Sequence, residues 1–165
     1  MILFATIQKS RFKKSKWIEP YTETPNGKLR TTIIDCYSCG QAGVYLIRHK
    51  QSKTVVYVGS STGQLKKTIY RHFQQWTDRQ RKGGEQFERK TYPKTGFYEI
   101  RFIKCTATQA LHMEKYLIRK LQPKDNPIKY NQLTLQEAER GQALYEEAIE
   151  APTLPNSAYL EEAPF

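Results

Sequence analysis

A chain of 165 residues has room for one domain with extensions around a buried core, and too little for two full-sized domains. Its formal charge of +11 is unevenly spread: residues 1–131 hold 26 Lys and Arg against 9 Asp and Glu, or +17, and residues 132–165 hold 1 against 7, or −6. The basic part selects a polyanion, nucleic acid above all, as the expected partner; a membrane is disfavoured, because the apolar opening Met1 to Ile7 is too short for a span or a signal sequence and its cations follow it.

The expected setting is the cytoplasm, with no membrane partner. Three cysteines that cannot all pair agree with a reducing compartment. Cys36-Tyr-Ser-Cys39 has the spacing of zinc ligands, but only Cys105 and a histidine remain to complete a set of four, which disfavours zinc.

Residues 1–42 form a basic extension in which Lys13, Lys14 and Lys16 cluster beside Trp17 and Tyr21. The Pro25-Asn26-Gly27 turn joins Thr22–Thr24 to the β-branched run Thr31–Ile34, predicting a small hairpin. Two readings stand side by side: a nucleic-acid-contacting arm, or an edge hairpin completing a sheet with Trp17 packed inside.

From Gly43 to Phe73 the pattern reads strand, loop, strand, glycine turn, helix. Val44, Leu46, Val56 and Val58 alternate with Tyr45, Ile47, Val55 and Tyr57, the period of two strands. A loop centred on Gln51 would set Tyr45 directly opposite Tyr57, two phenols side by side within reach of one ligand. The helix is expected over Gln64–Gln75, with hydroxyl cap candidates in Ser60-Ser61-Thr62 and a buried stripe of Leu65, Ile69, Phe73 and Trp76. His72 falls within that stripe, either as a packed structural histidine or as a proton carrier at the rim of a phosphate site.

No apolar period survives from Thr77 to Gly96. Its cations Arg79, Arg81, Lys82, Arg89, Lys90 and Lys94, with Phe87 and Tyr92 between them, suit phosphate contacts and base stacking; the alternative is a solvated insertion. A strand over Phe97–Lys104 follows, with Tyr98, Ile100 and Phe102 as the face to bury. Thr106 and Gln109 then form a capping box for a helix with Ala110, Leu111, Leu117, Ile118 and Leu121 on its apolar face, stopped by Pro123. Glu114 stands in the middle of that face, where a carboxylate needs a cation, a hydrogen-bond partner or a raised pKa; a metal ion or a buried arginine would serve. A turn-rich link leads to Tyr130-Asn131. A second capping box, Thr134 with Glu137, opens a helix to about Glu150 whose stripe of Leu135, Ala138, Tyr145 and Ile149 is interrupted at Gly141, and an acidic, proline-containing tail ends the chain.

Gly43-Val44-Tyr45 and Tyr57-Val58-Gly59, on consecutive strands followed by a helix, resemble the signature pair of the GIY-YIG nuclease superfamily, and Glu114-Lys-Tyr-Leu-Ile-Arg-Lys-Leu and Asn131 extend the resemblance over Gly43–Asn131. The fold it implies is α+β, a small mixed, mainly antiparallel sheet flanked by helices, spanning 43–131 between the hairpin extension of 1–42 and the helix and tail of 132–165. The chemistry it implies is one-metal hydrolysis of DNA phosphodiesters: Glu114 holding Mg2+ or Mn2+, Tyr45 taking or relaying a proton from water, Tyr57 orienting the phosphate, and Asn131 bonding a phosphate or a tyrosine. His72 matches a histidine found in some homing nucleases of the family. The family's catalytic arginine is absent, since its position falls on Lys67 or Thr68; Arg71, one turn further on, and Lys67 are the candidate replacements. The competing expectation is a catalytically weak or inactive nucleic-acid-binding module of the same fold. Backbone contacts alone do not separate DNA from RNA.

Overall fold

The computed structural model describes residues 12–32, 41–74, 91–126 and 133–153. Along these the chain forms β1 (Lys13–Lys14), β2 (Tyr21–Glu23), β3 (Leu29–Thr31), β4 (Gly43–His49), β5 (Val55–Ser61), α1 (Leu65–Arg71), β6 (Tyr98–Lys104), α2 (Ala107–Leu121) and α3 (Leu135–Glu150). Four strands make one sheet in the order β1-β6-β4-β5, antiparallel at every pair, and β2 and β3 make a separate two-stranded sheet. Among the described residues, parallel contacts occur as isolated bridges, Lys14 with Thr153 and Gln41 with Gln64.

Both faces of the sheet are covered, which makes the fold α+β with helices on either side. Tyr45, Ile47, Ile100 and Phe102 pack with Leu65, Ile69, Tyr70 and Phe73 of the α1 layer. Val44, Leu46, Val58 and Ile103 pack with Met113, Tyr116, Leu117 and Ala148 of the α2–α3 layer. Each Val, Leu, Ile, Phe or Met among them contributes roughly 1.5–3 kcal/mol on leaving water. Because β6 is covered on both faces, Ile103 is as buried as Ile100, and the expectation of one buried face was too narrow.

A bulge interrupts the alternation in β5. Ile47 pairs with Tyr57 and Arg48 with Val55, leaving Val56 as the extra residue, so that Val56 and Tyr57 share the α1 side. The register that results sets Tyr45 opposite Gly59 rather than Tyr57.

The N-terminal segment belongs to the same sheet. Ser15 N–H donates to the Phe102 carbonyl and Ser15 Oγ accepts from Phe102 N–H, both at 2.9 Å, while Phe12 is buried against the α2–α3 layer. Trp17 lies under two guanidinium groups, 4.0 Å from Arg48 and 5.0 Å from Arg101. The β2–β3 hairpin turns through Gly27, whose φ of +73° suits glycine, and its Tyr21 packs on Tyr70 and Phe73.

The helices are rotated relative to the simple stripes. On α2, Met113 and Tyr116 are buried whereas Leu111 and Leu121 are exposed, so the core face is turned from the one expected. On α3, Leu135 is exposed and Gly141 is buried: a Cβ there would lie 2.5 Å from Tyr116 Cβ and 2.6 Å from the His112 carbonyl oxygen. Gly141 is therefore the crossing point at which α3 lies against α2, and the apparent break in the stripe is its point of closest approach.

Candidate active site

The site begins with a glycine. Opposite Gly59, the Tyr45 side chain has nothing but a hydrogen to displace, and its ring lies across β5; a Cβ at position 59 would sit 2.4 Å from both Cζ and Oη of Tyr45. Tyr57, diagonal to Tyr45 on the same face, stacks on it with ring centroids 6.1 Å apart and planes 25° apart. The two phenols are neighbours as expected, by diagonal contact instead of direct opposition.

His72 completes the cluster. It is the C-cap of α1, only 3% exposed, and its Nε2 lies 2.8 Å from Tyr45 Oη, a buried hydrogen bond. Its ring is also 4.5 Å from that of Tyr57. Packed histidine and polar partner of the tyrosine are thus one and the same residue. The bond takes either sense: Tyr45 O–H donates to a neutral imidazole, or Nε2–H donates to the phenol oxygen.

The start of α1 is held by Ser61, whose Oγ accepts from Gln64 N–H at 3.0 Å and from Thr68 Oγ1 at 3.2 Å. Of the two positions open to the family arginine, Thr68 is therefore turned to the sheet, while Lys67 is exposed and Arg71, one turn on, is half-buried.

Glu114 approaches from the other layer. It is half-buried at the flank of α2 instead of central to the apolar face, and Ser60 Oγ donates to its Oε2 at 2.9 Å. Ser60 directly follows Gly59 on β5, an edge strand of the sheet, so the carboxylate and the Tyr45–Tyr57–His72 cluster flank one strand from its two sides. A carboxylate and a hydroxyl are hard oxygen donors that suit Mg2+, which keeps several waters and takes one or two protein carboxylates together with substrate phosphate. Among the described residues no three His, Cys, Asp or Glu side chains converge into a protein cage.

Of the remaining expected residues, Lys13 and Lys16 are exposed, and Lys14 is half-buried with its ammonium donating to the Ile149 carbonyl at the end of α3. Asn131, Arg79, Arg81, Lys82, Arg89 and Lys90 lie outside the described residues.

Three residues at the site escaped the sequence pattern. Asn126 Oδ1 accepts from Val58 N–H at 2.8 Å and its Nδ2 donates to the Val58 carbonyl at 2.7 Å, so one side-chain amide pairs with the outer edge of β5 between Tyr57 and Gly59. Asp125 N–H bonds the Val56 carbonyl at 3.1 Å, and its Oδ2 accepts from Tyr92 Oη at 2.8 Å. Tyr92 is 5% exposed, and burial, reinforced by its hydrogen bond to Asp125, pushes its pKa far up, so it stays a donor. The sequence had offered Tyr92 as a base-stacking residue of the basic loop; its ring is instead spent inside, against His72, Phe73 and Tyr98. The Asp-Asn-Pro triplet was legible only as a turn.

With this geometry in place, comparison gives the family. The profile of the GIY-YIG catalytic domain matches residues 41–131, over half of the chain. The chain belongs to the GIY-YIG family, whose nucleases act on nucleic acids. Neither the curated proteins nor the solved structures compared with the chain give a significant match.

Proposed function

We propose that this protein is a divalent-metal-dependent endonuclease that hydrolyses DNA phosphodiester bonds, with the Tyr45–His72 pair as its proton-handling centre. The observation that carries the reading is the 2.8 Å bond between Tyr45 Oη and His72 Nε2 inside a stacked tyrosine pair. With the imidazole neutral, a water attacking phosphorus gives its proton to Tyr45 Oη as the phenol passes its own to Nε2, and the charge rests on a histidine whose ordinary pKa lies near neutrality. Tyr57, less buried than Tyr45, orients the phosphate. Glu114 would hold Mg2+ or Mn2+ with Ser60 as its neighbour; such an ion, when bound, neutralises the charge that grows on the phosphate. Lys67 or Arg71 contributes the cation that the family arginine supplies elsewhere, and a donor of that kind is typically worth about 3 kcal/mol, some hundredfold in rate. Lys13 and Lys16, together with Arg79, Arg81, Lys82, Arg89 and Lys90, would hold the backbone of the duplex.

Nicking of supercoiled plasmid with Mg2+ or Mn2+, wild type against Glu114→Ala, tests the reading. Cleavage by the wild type and none by the variant, at equal DNA binding, is the expected outcome. Equal binding with no cleavage by either protein would replace the nuclease by a binding module of the same fold, and preference for an RNA duplex would change the substrate.

A further inference from the structure

We infer that Tyr92 and Asp125 form a clasp that positions the reacting groups, an inference that rests on the nuclease reading for its effect on rate. The clasp joins the elements that carry the site. Tyr92 N–H donates to the His72 carbonyl at 2.6 Å, and the Tyr92 and His72 rings lie 6.2 Å apart. Tyr92 Oη donates to Asp125 Oδ2 at 2.8 Å, and Asp125 N–H donates to the carbonyl of Val56, the residue before Tyr57. Asp125 itself stands in the turn that follows α2, the helix of Glu114. One partly buried hydroxyl–carboxylate bond thus links the end of α1 with its His72, the edge of β5 with Tyr57, and the turn leaving α2.

Such a link acts on alignment, because His72 caps the end of α1, where its backbone bonds reach back to Ile69 and Tyr70 and its ring bonds Tyr45 Oη. Catalytic groups must keep near-attack geometry within a fraction of an ångström, and loosening one end of the Tyr45–His72 bond slows proton transfer without weakening the hold on DNA. Tyr92 and Asp125 are positioning residues: neither is assigned a contact with substrate.

Single-turnover cleavage of a defined duplex by Tyr92→Phe, Asp125→Ala, Asp125→Asn and the Tyr92→Phe/Asp125→Ala pair tests the clasp. Tyr92→Phe and Asp125→Ala should each lower the cleavage rate about tenfold with DNA affinity within twofold, and the pair should be no slower than either single change. Asp125→Asn, which keeps an oxygen acceptor, should stay within threefold of wild type. NMR of the His72 imidazole, recorded without DNA, should move in Tyr92→Phe and stay in place in Asp125→Asn. Wild-type cleavage by Tyr92→Phe, or an unmoved His72 signal, overturns the clasp. Absence of cleavage by every protein, wild type included, overturns the nuclease reading and leaves the His72 signal to decide the clasp on its own.

Discussion

Replacing Gly59 by alanine places a methyl group where the Tyr45 ring now lies. The new Cβ would meet Cζ and Oη at 2.4 Å and Cε1 at 2.9 Å. Carbon contacts settle near 3.5–4 Å, so the ring must retreat by about 1 Å, in a site where Tyr45 is only 2% exposed and His72 3%. Overpacking of this kind costs about 1–3 kcal/mol, and losing the Tyr45–His72 bond adds about 1 kcal/mol. The sum, roughly 2–4 kcal/mol, lowers the urea midpoint by about 1–2 M for the slope of a small domain. Cleavage per folded molecule falls as well, because the phenol no longer meets the imidazole. Gly96→Ala is the control: nothing lies within 4 Å of its Cβ, and only its φ of +85° opposes the change. It should lose about 1–2 kcal/mol of stability and keep its activity per folded molecule. A Gly59→Ala protein with the wild-type urea midpoint and wild-type cleavage would refute the packing of Tyr45 over β5.

Three further outcomes concern a paired carboxylate, the helix crossing and a buried thiol. Burial alone would raise the pKa of Glu99, but hydrogen bonds from Arg48 and Lys53, with salt bridges at 2.7 and 3.2 Å, hold it below its ordinary 4.5. Its stabilisation is present above that value and fades as pH falls through the depressed folded-state value, so the stability gap between wild type and Glu99→Gln should shrink on acidification below about pH 4.5; a gap that widens would contradict the pairing. Gly141→Ala forces α3 away from Tyr116 and the His112 carbonyl and should cost about 1–3 kcal/mol by chemical denaturation, whereas a neutral result would deny the close crossing of α2 and α3. Burial pushes the Cys105 thiol up to about 12, so in a Cys36→Ser/Cys39→Ser protein a thiol reagent at pH 8 should label Cys105 only after unfolding; rapid labelling of the folded protein would show an accessible thiolate.

The hairpins, β6, the two long helices and their capping boxes were legible because each rests on local chemistry, whereas β1, two lysines paired to β6, carries no strand pattern, and α1 ends at Arg71, short of the expected Gln75. Thr106 with Gln109 and Thr134 with Glu137 bond in the structure as their spacing implies. What local pattern could not convey was register. The hairpin closes with Arg48 opposite Val55, one residue from the expected register, and the extra Val56 adds a second, so Tyr45 meets Gly59; nothing in a run of valines marks which of them is extra. Helix rotation was hidden for a similar reason: Leu111 and Leu121 are as apolar as Met113, and only the position of the sheet decides which side is buried. The phenols, the histidine and Glu114 were visible as residue types at family spacing, whereas the bond from His72 to Tyr45 joins positions 27 residues apart and leaves no local mark. Tyr92, Asp125 and Asn126 were unreadable in advance, since their roles depend on backbone groups of β5 and α1 far away in sequence.

At the centre of the proposed chemistry stands a phenol that handles the proton of the attacking water, and removal of that one oxygen tests its role most directly. Single-turnover cleavage of an end-labelled duplex with Mg2+, alongside a binding titration at the same salt, should show Tyr45→Phe binding within twofold of wild type and cleaving at least about a hundredfold more slowly. Tyr45→Phe cutting at the wild-type rate would contradict the account.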